Sequence, residues 1–259
     1  MDSRFRGNDE VLGIAYNSCM ATNTTYGTLY LIPVTLGDDN INQVLPPDVI
    51  AFAQKLDTFV VESEKSARHF LSTIKTAKPV RELTLHLLNE HTADKDVSAL
   101  LTPLLAGKDI GLMSDAGCPG VADPGAKLVE LAHQKGIKVV PFVGPSSILL
   151  SLMASGLNGQ QFAFLGYLPV DKLARNNKLK EIEKRSLSHK ETQLFIETPY
   201  RNQHMLEAIL STCQPNTRLC VACDISLKTE LIVTKTVANW KKTPLPDLHK
   251  RPTVFLLLS

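Results

Sequence analysis

Residues 109–147, DIGLMSDAGCPGVADPGAKLVELAHQKGIKVVPFVGPSS, decide how this chain folds. DIGLMSD carries a short apolar run that reads as a buried strand. From Ser114 to Gly125 there are three glycines, two prolines and two aspartates in twelve residues, a loop of small and stiffening residues. Asp123 caps the helix that follows, with Pro124 at its first position. GAKLVELAHQKG then has helical apolar spacing and stops at Gly136. IKVVPFV is a further strand, and Gly144-Pro145-Ser146-Ser147 opens another helix. Strand, loop, helix, strand is the unit of a parallel sheet covered by helices.

The same rhythm extends backwards to Gly27. LYLIPV (29–34), TFVVES (58–63) and ELTLHLL (82–88) are strand runs. EKSARHFLSTIK (64–75) places Ala67, Phe70, Leu71 and Ile74 on one helical face. DKDVSALLTPLLAGK (94–108) reads as one helix, capped by Asp94 or Asp96 and stopped by Gly107. Beyond Pro145 the pattern changes. SSILLSLMASG is a helix, FAFLGYLP a strand, KLARNNKLKEIEKR a charged helix, TQLFIETP a strand and NQHMLEAILSTC a helix. Three strands close the chain with little helix between them: RLCVACDIS, ELIVTKTV and TVFLLLS. Consecutive strands imply antiparallel pairing. The expected architecture is therefore α/β in two domains with a cleft between them. Residues 27–143 form a mostly parallel five-stranded α/β domain, and 144–259 a mixed-sheet α/β domain. Residues 1–26, polar and aperiodic, are expected to be a disordered leader.

Bulk properties narrow the function. The chain has 259 residues, 44% hydrophobic and 21% charged, with a formal charge of +2. These values fit a soluble globular protein and are too balanced to announce a nucleic-acid partner. No apolar run reaches the roughly 20 residues of a membrane span, and the N-terminus lacks a signal-peptide pattern, so a cytoplasmic protein is expected. Cys19, Cys118, Cys213, Cys220 and Cys223 have no disulfide-framework spacing, which favours a reducing compartment. Cys220 and Cys223 form a C-x-x-C on a predicted strand, where positions three apart point to opposite faces, so buried structural thiols are expected there. His69, His86 and His91 lack metal-ligand spacing, and no metal site is predicted.

In open α/β sheets, ligands bind beyond the carboxyl ends of the strands. The loops there are VTLGDD from Val34, SDAGCPGVADPG from Ser114 and GPSS from Gly144. None is a P-loop or a G-x-G-x-x-G fingerprint, which argues against an ordinary nucleotide or dinucleotide enzyme.

These segments resemble the tetrapyrrole-methylase fold family of S-adenosylmethionine-dependent methyltransferases. Within it the chain is most similar to the branch that includes the bacterial small-subunit rRNA (cytidine-2'-O)-methyltransferases. That branch carries SDAGTPLISDPG, matched by SDAGCPGVADPG. Its PGPSA…ALSASGLP…F.F.GFLP is matched by VGPSSILLSLMASGLNGQQFAFLGYLP from Val143, and its YESPHR by IETPYR from Ile196. Its HNE is partly matched by Leu88-Asn89-Glu90. The likeness runs from Gly27 almost to Ser259 with the motifs in order. Three segments depart: VTLGDD stands for TPIGNL, VESEKSAR for AEDTR, and Ala222-Cys223-Asp224-Ile225-Ser226-Leu227-Lys228 for ARELTK, with the loss of an arginine.

The resemblance implies S-adenosyl-L-methionine as methyl donor, held by Asp115, Ala116, Gly117, Val121 and Ser146 from one side. Tyr200, Ala222 and Thr253 are implied on the other. It also implies a homodimer, and rRNA or the small ribosomal subunit as partner. Methylation of a ribose hydroxyl is helped by a general base. The candidates are Glu90, singled out by the partial HNE match, and His91, Glu62 and Asp39. Lys172, Arg175, Lys178, Lys180, Lys184 and Arg185 form a basic helix that would meet phosphates, although Glu181 and Glu183 dilute it. Two rival readings are a methyltransferase for a tetrapyrrole or other small molecule, and a donor-binding module without turnover.

Overall fold

The computed structural model describes residues 25–37 and 41–259. Of the expected leader, residues 1–24 lie outside the described residues, as do Cys19 and Asp39. Strands β1 (Leu29–Leu31), β2 (Thr58–Val61), β3 (Thr84–Leu87), β4 (Ile110–Met113) and β5 (Val139–Pro141) form one sheet in the order β3-β2-β4-β1-β5. All its pairings are parallel. β2 and β4 are buried throughout, as the apolar runs FVV and IGLM require of strands covered on both faces.

Helices α1 (Ile41–Val44), α2 (Pro47–Ala53) and α3 (Glu64–Ile74) cover one face, where Phe59, Val61 and Met113 meet Ala53, Phe70 and Leu71. α4 (Asp94–Ala99), α5 (Thr102–Leu105) and α6 (Gly125–Gln134) cover the other, where Leu29, Val60 and Leu112 meet Val97, Leu104 and Leu128. Two expectations are corrected here. The run 94–108 is two short helices instead of one, interrupted at Leu100 and Leu101 just before Pro103, whose ring and missing N–H disfavour a helix interior. The α4 N-cap is Ala93; Asp94 and Asp96 sit in the first turn, where their charge still suits the helix dipole.

A second sheet holds β6 (Phe162–Tyr167), β7 (Thr192–Ile196), β8 (Arg218–Cys223), β9 (Leu231–Thr236) and β10 (Thr253–Leu258), in the order β6-β7-β10-β8-β9. Only β6–β7 is parallel; the other three pairings are antiparallel. α7 (Ser147–Ser155) packs on one face, and α8 (Lys172–His189), α9 (Asn202–Thr212) and α10 (Val237–Trp240) on the other. Cys220 belongs to the α7 side and Cys223 to the helical side, so the two thiols diverge across β8 as the strand period demands.

Candidate active site

Three strand ends of the first sheet converge because β4, β1 and β5 are neighbours. The Val34 N–H, after β1, donates to the Gly117 carbonyl, after β4, at 2.9 Å. Gly117 has φ +73°, a left-handed backbone that a side chain would strain, and a Cβ there would stand 3.3 Å from the Pro145 carbonyl oxygen. The Cys118 thiol donates to that same oxygen at 3.3 Å. Gly144 lets the third loop approach the first: a Cβ at Gly144 would lie 2.2 Å from Pro33 Cβ. Asp123 folds the middle loop by accepting from the N–H groups of Gly120 (2.8 Å) and Gly125 (2.7 Å). Pro124 already has helical angles (φ −69°, ψ −12°), so Asp123 stands where a capping residue does. Ser146 caps α7, accepting from the Leu149 N–H.

These loops face the second sheet across a cleft with two lobes, of about 170 and 290 Å³, that share Leu36, Ala116, Ser147 and Ile196. Ala116, Gly117, Val121 and Ser146 line the smaller lobe; Ala222 and Thr253 line the larger. Six of the eight residues expected at the donor site therefore meet at one cleft. The other two do not. The Asp115 N–H donates to Glu62 Oε2 at 3.1 Å, and Asp115 lines the cavities on the far side of the loop. Tyr200 is 65% exposed, in the turn after β7, with His249 edge-on to its ring and Lys250 above it; its neighbours Glu197 and Pro199 line the cleft instead.

Sequence reading passed over Leu36, Cys118, Tyr167, Glu197 and Asp224 as lining residues. For Glu197 and Asp224 the signal was present, since they lie inside IETPYR and ACDIS. Asp224 has φ +50° and accepts from Arg251 Nε and Thr229 Oγ1, both at 2.7 Å, which ties β8 to the segment before β10. Glu197 is buried; its Oε1 accepts from Thr198 N–H (2.6 Å) and Arg201 (2.7 Å).

Behind the SDAGC loop lies a wide cavity walled by Glu62, Glu90, His91, Asp115, Asp123 and Tyr167. It shares Ala122 with the smaller cleft lobe and Tyr167 with the larger, so the loop is a partition between cleft and acidic cavity. Burial pushes the Glu62 carboxyl above its ordinary value; the Asp115 N–H works against this, and the negative charges of Asp115, Asp123 and Glu90 reinforce it. Burial likewise raises Asp123, opposed by its two backbone donors. Glu90 is 85% exposed at its side chain and, among the described residues, pairs only with His91, at 3.5 Å. Among the described residues, no group of three or more His, Cys, Asp or Glu side chains is placed to hold a metal ion. Nor is any helix among them long and apolar enough to cross a membrane.

Two five-stranded sheets, one parallel and one mixed, with a glycine-rich cleft at the strand ends of the first, make the fold in which the comparisons find a class of methylases. The chain belongs to the tetrapyrrole methylase family, whose model, Tetrapyrrole (Corrin/Porphyrin) Methylases, matches residues 30–240. It is 33% identical over 226 residues to Ribosomal RNA small subunit methyltransferase I of Vibrio cholerae serotype O1, covering 85% of this chain and 69% of that protein. The same-named protein of Pasteurella multocida is 30% identical over 220 residues, covering 85% of this chain and 74% of the relative. Among solved structures, the methyltransferase CobJ superposes with a TM-score of 0.60 at 18% identity, over 90% of this chain and 94% of that one. That likeness shows the shared fold.

Proposed function

We propose that this chain transfers the methyl group of S-adenosyl-L-methionine to a ribose 2'-hydroxyl of small-subunit rRNA. The observation that carries the reading is the partition itself: a cleft of small residues on one side of the SDAGC loop, a carboxylate-lined cavity on the other. The relatives named as rRNA small subunit methyltransferases support the choice of acceptor.

The cleft suits the donor by shape. Ala116, Gly117 and Ala222 leave room where longer side chains would fill it, and Ile196, Ala222 and Thr253 offer an apolar wall to a flat ring. Backbone groups of the SDAGC and GPSS loops take the polar contacts, and their mutual hydrogen bonds fix them in advance. When bound, the donor supplies an already activated methyl group. The chain's own residues then have two tasks. The stapled loops hold the acceptor oxygen in line, and a base takes its proton, a contribution of roughly 10²–10⁴-fold.

Glu62 is the base we assign, in preference to Glu90. It is half-buried, its carboxyl is fixed by the Asp115 N–H, and its raised pKa makes it a better proton acceptor than an exposed glutamate. Labelled donor incubated with unmethylated small ribosomal subunits tests the reading. Label in a ribose 2'-O-methyl group, lost in Glu62→Gln and kept in Glu90→Gln, is the expected result. Label in a small molecule from cell extract, with none in rRNA, would support the tetrapyrrole-type reading instead.

We place the boundary between the two halves at residues 143 and 144, since β1–β5 precede it and β6–β10 follow. We also read the protein as a cytoplasmic homodimer. Val143, Leu149 and Met153 leave an apolar face of 52–79% exposed side chains at and before α7, which a second copy would cover. Light scattering that gives the mass of one chain would overturn the dimer.

A further inference from the structure

An RNA chain is a polyanion, yet the cavity beside the SDAGC loop is walled by Glu62, Glu90, Asp115 and Asp123. Phosphates are repelled there, so on the proposed function, on which this inference rests, the RNA backbone must be gripped elsewhere. The chain itself leads from the cleft to such a place. Tyr167, at the end of β6, lines both the acidic cavity and the larger cleft lobe and is 60% exposed. Val170 and Leu173 follow, also largely exposed, and α8 then begins with Lys172 and Arg175.

Between α8 and α9 lies a groove of about 340 Å³ lined by Lys172, Arg175, Asn176, His204, Glu207 and Ser211. Arg175 donates through Nη1 to the Val170 carbonyl at 3.1 Å, while its Nε is buried without a partner, and so is Asn176 Oδ1. Glu207 is the one carboxylate in the groove. Along the rest of α8 the acids cancel only two of the cations, Lys178 and Arg185. Glu181 is taken up by Lys178 at 2.6 Å, and Glu191, beyond the helix, by Arg185 at 2.8 Å. Glu183 is turned inward, accepting from the Gln214 N–H and Thr217 Oγ1. Lys172, Arg175, Lys180 and Lys184 have no carboxylate partner among the described residues.

We propose that residues 167–175 and the α8–α9 groove form the docking track for single-stranded RNA, with phosphates on Lys172 and Arg175 and a base stacked on Tyr167 at the mouth of the cleft. Exposed apolar and aromatic groups interleaved with cations are what such a strand recognises.

The test measures binding of a fluorescent oligouridylate across a salt series, alongside calorimetry with S-adenosylhomocysteine. Combined Lys172→Glu and Arg175→Glu should weaken RNA binding by about tenfold or more and flatten the log–log salt slope by roughly 1.4, about 0.7 per lost phosphate contact. Affinity for S-adenosylhomocysteine should not change, which also certifies the fold. Lys172→Gln with Arg175→Gln should give a smaller loss in the same direction. Tyr167→Ala should cost about tenfold in RNA affinity. Charge reversal at the exposed Lys135, after α6, should do nothing. If the wild type binds RNA and the double reversal binds equally well with the same slope, the track is wrong and the methyltransferase reading survives. If the wild type binds S-adenosylhomocysteine but neither the oligonucleotide nor ribosomal subunits, the rRNA reading falls and the track with it.

Discussion

Replacing Gly144 by alanine puts a methyl group where the GPSS loop leans on Pro33. Its Cβ would stand 2.2 Å from Pro33 Cβ and 2.3 Å from Pro33 Cγ, against 3.4 Å for ordinary contact, so the two loops must separate by about 1.2 Å. A proline ring cannot rotate away, and the strain therefore goes into the backbone. Overpacking of this kind costs about 1–3 kcal/mol, and with no flexible partner the upper half of that range applies. For a chain of this size that corresponds to a melting temperature lower by about 5–10 °C. The displaced loops are the ones that present Gly117 and Ser146 to the cleft, and a shift near 1 Å is enough to cost roughly 10²-fold in a positioned reaction. Differential scanning fluorimetry reads the first effect, and methyl transfer from labelled donor, beside calorimetry of S-adenosylhomocysteine, reads the second. Gly159→Ala, where a Cβ meets nothing within 4 Å, is the control and should change neither. A Gly144→Ala protein that melts with the wild type and binds the ligand equally would show that the loops do not depend on this approach.

Three further outcomes follow from the same geometry. Glu62→Gln should abolish most turnover while leaving S-adenosylhomocysteine affinity within about twofold, and it should raise stability near neutral pH. The sign follows from burial, the chief cause of the raised Glu62 pKa: its unfavourable contribution is absent below the unfolded value and grows as pH rises through the folded one, so the variant's advantage fades on acidification; equal melting at pH 8 would contradict this. Ala222→Leu should fill the larger lobe and lower ligand affinity at least tenfold in a folded protein, since Ala222 is fully buried yet lines that lobe; unchanged affinity would move the site. Cys118, half-buried in the smaller lobe, should alkylate before Cys213, Cys220 and Cys223 and be protected by ligand. Cys213, pushed up to about 12 by burial with Glu183 nearby, should stay unlabelled in the native protein; mass spectrometry that finds it modified first would refute the burial pattern.

Much of this architecture was readable in the residues because burial on both faces leaves a mark. FVV and IGLM are unbroken apolar runs for that reason, and Ala67, Phe70, Leu71 and Ile74 reveal α3 by spacing alone. The opposed burial of Cys220 and Cys223 follows from strand period. α1 and α2 escaped because helices of four and seven residues carry too little periodicity, although Pro47 marks a helix start. The break near Pro103 was overridden by the apolar pattern on either side of it.

At the site, the small residues of the SDAGC and GPSS loops announced a ligand, but the direction in which each residue points did not follow from order in the chain. Asp115 and Ala116 are adjacent and face opposite sides of the partition. Glu62 and Glu90 both follow strands, and only three-dimensional packing separates a half-buried carboxylate from an exposed one. The basic helix looked diluted by Glu183 because its inward hydrogen bonds to the 214–217 turn are long-range and invisible in sequence.

A methyl group passed to small-subunit rRNA where the cleft and the acidic cavity meet, at Ala122 and Tyr167, can be sought in one experiment. Small ribosomal subunits from cells lacking this protein, incubated with it and isotopically labelled S-adenosyl-L-methionine, are digested to nucleosides and analysed by mass spectrometry. Label in a single 2'-O-methylated nucleoside, absent when Ala222→Leu or Glu62→Gln protein is used, is the expected result. Label on a base atom, or none in rRNA while the donor still binds, would contradict it.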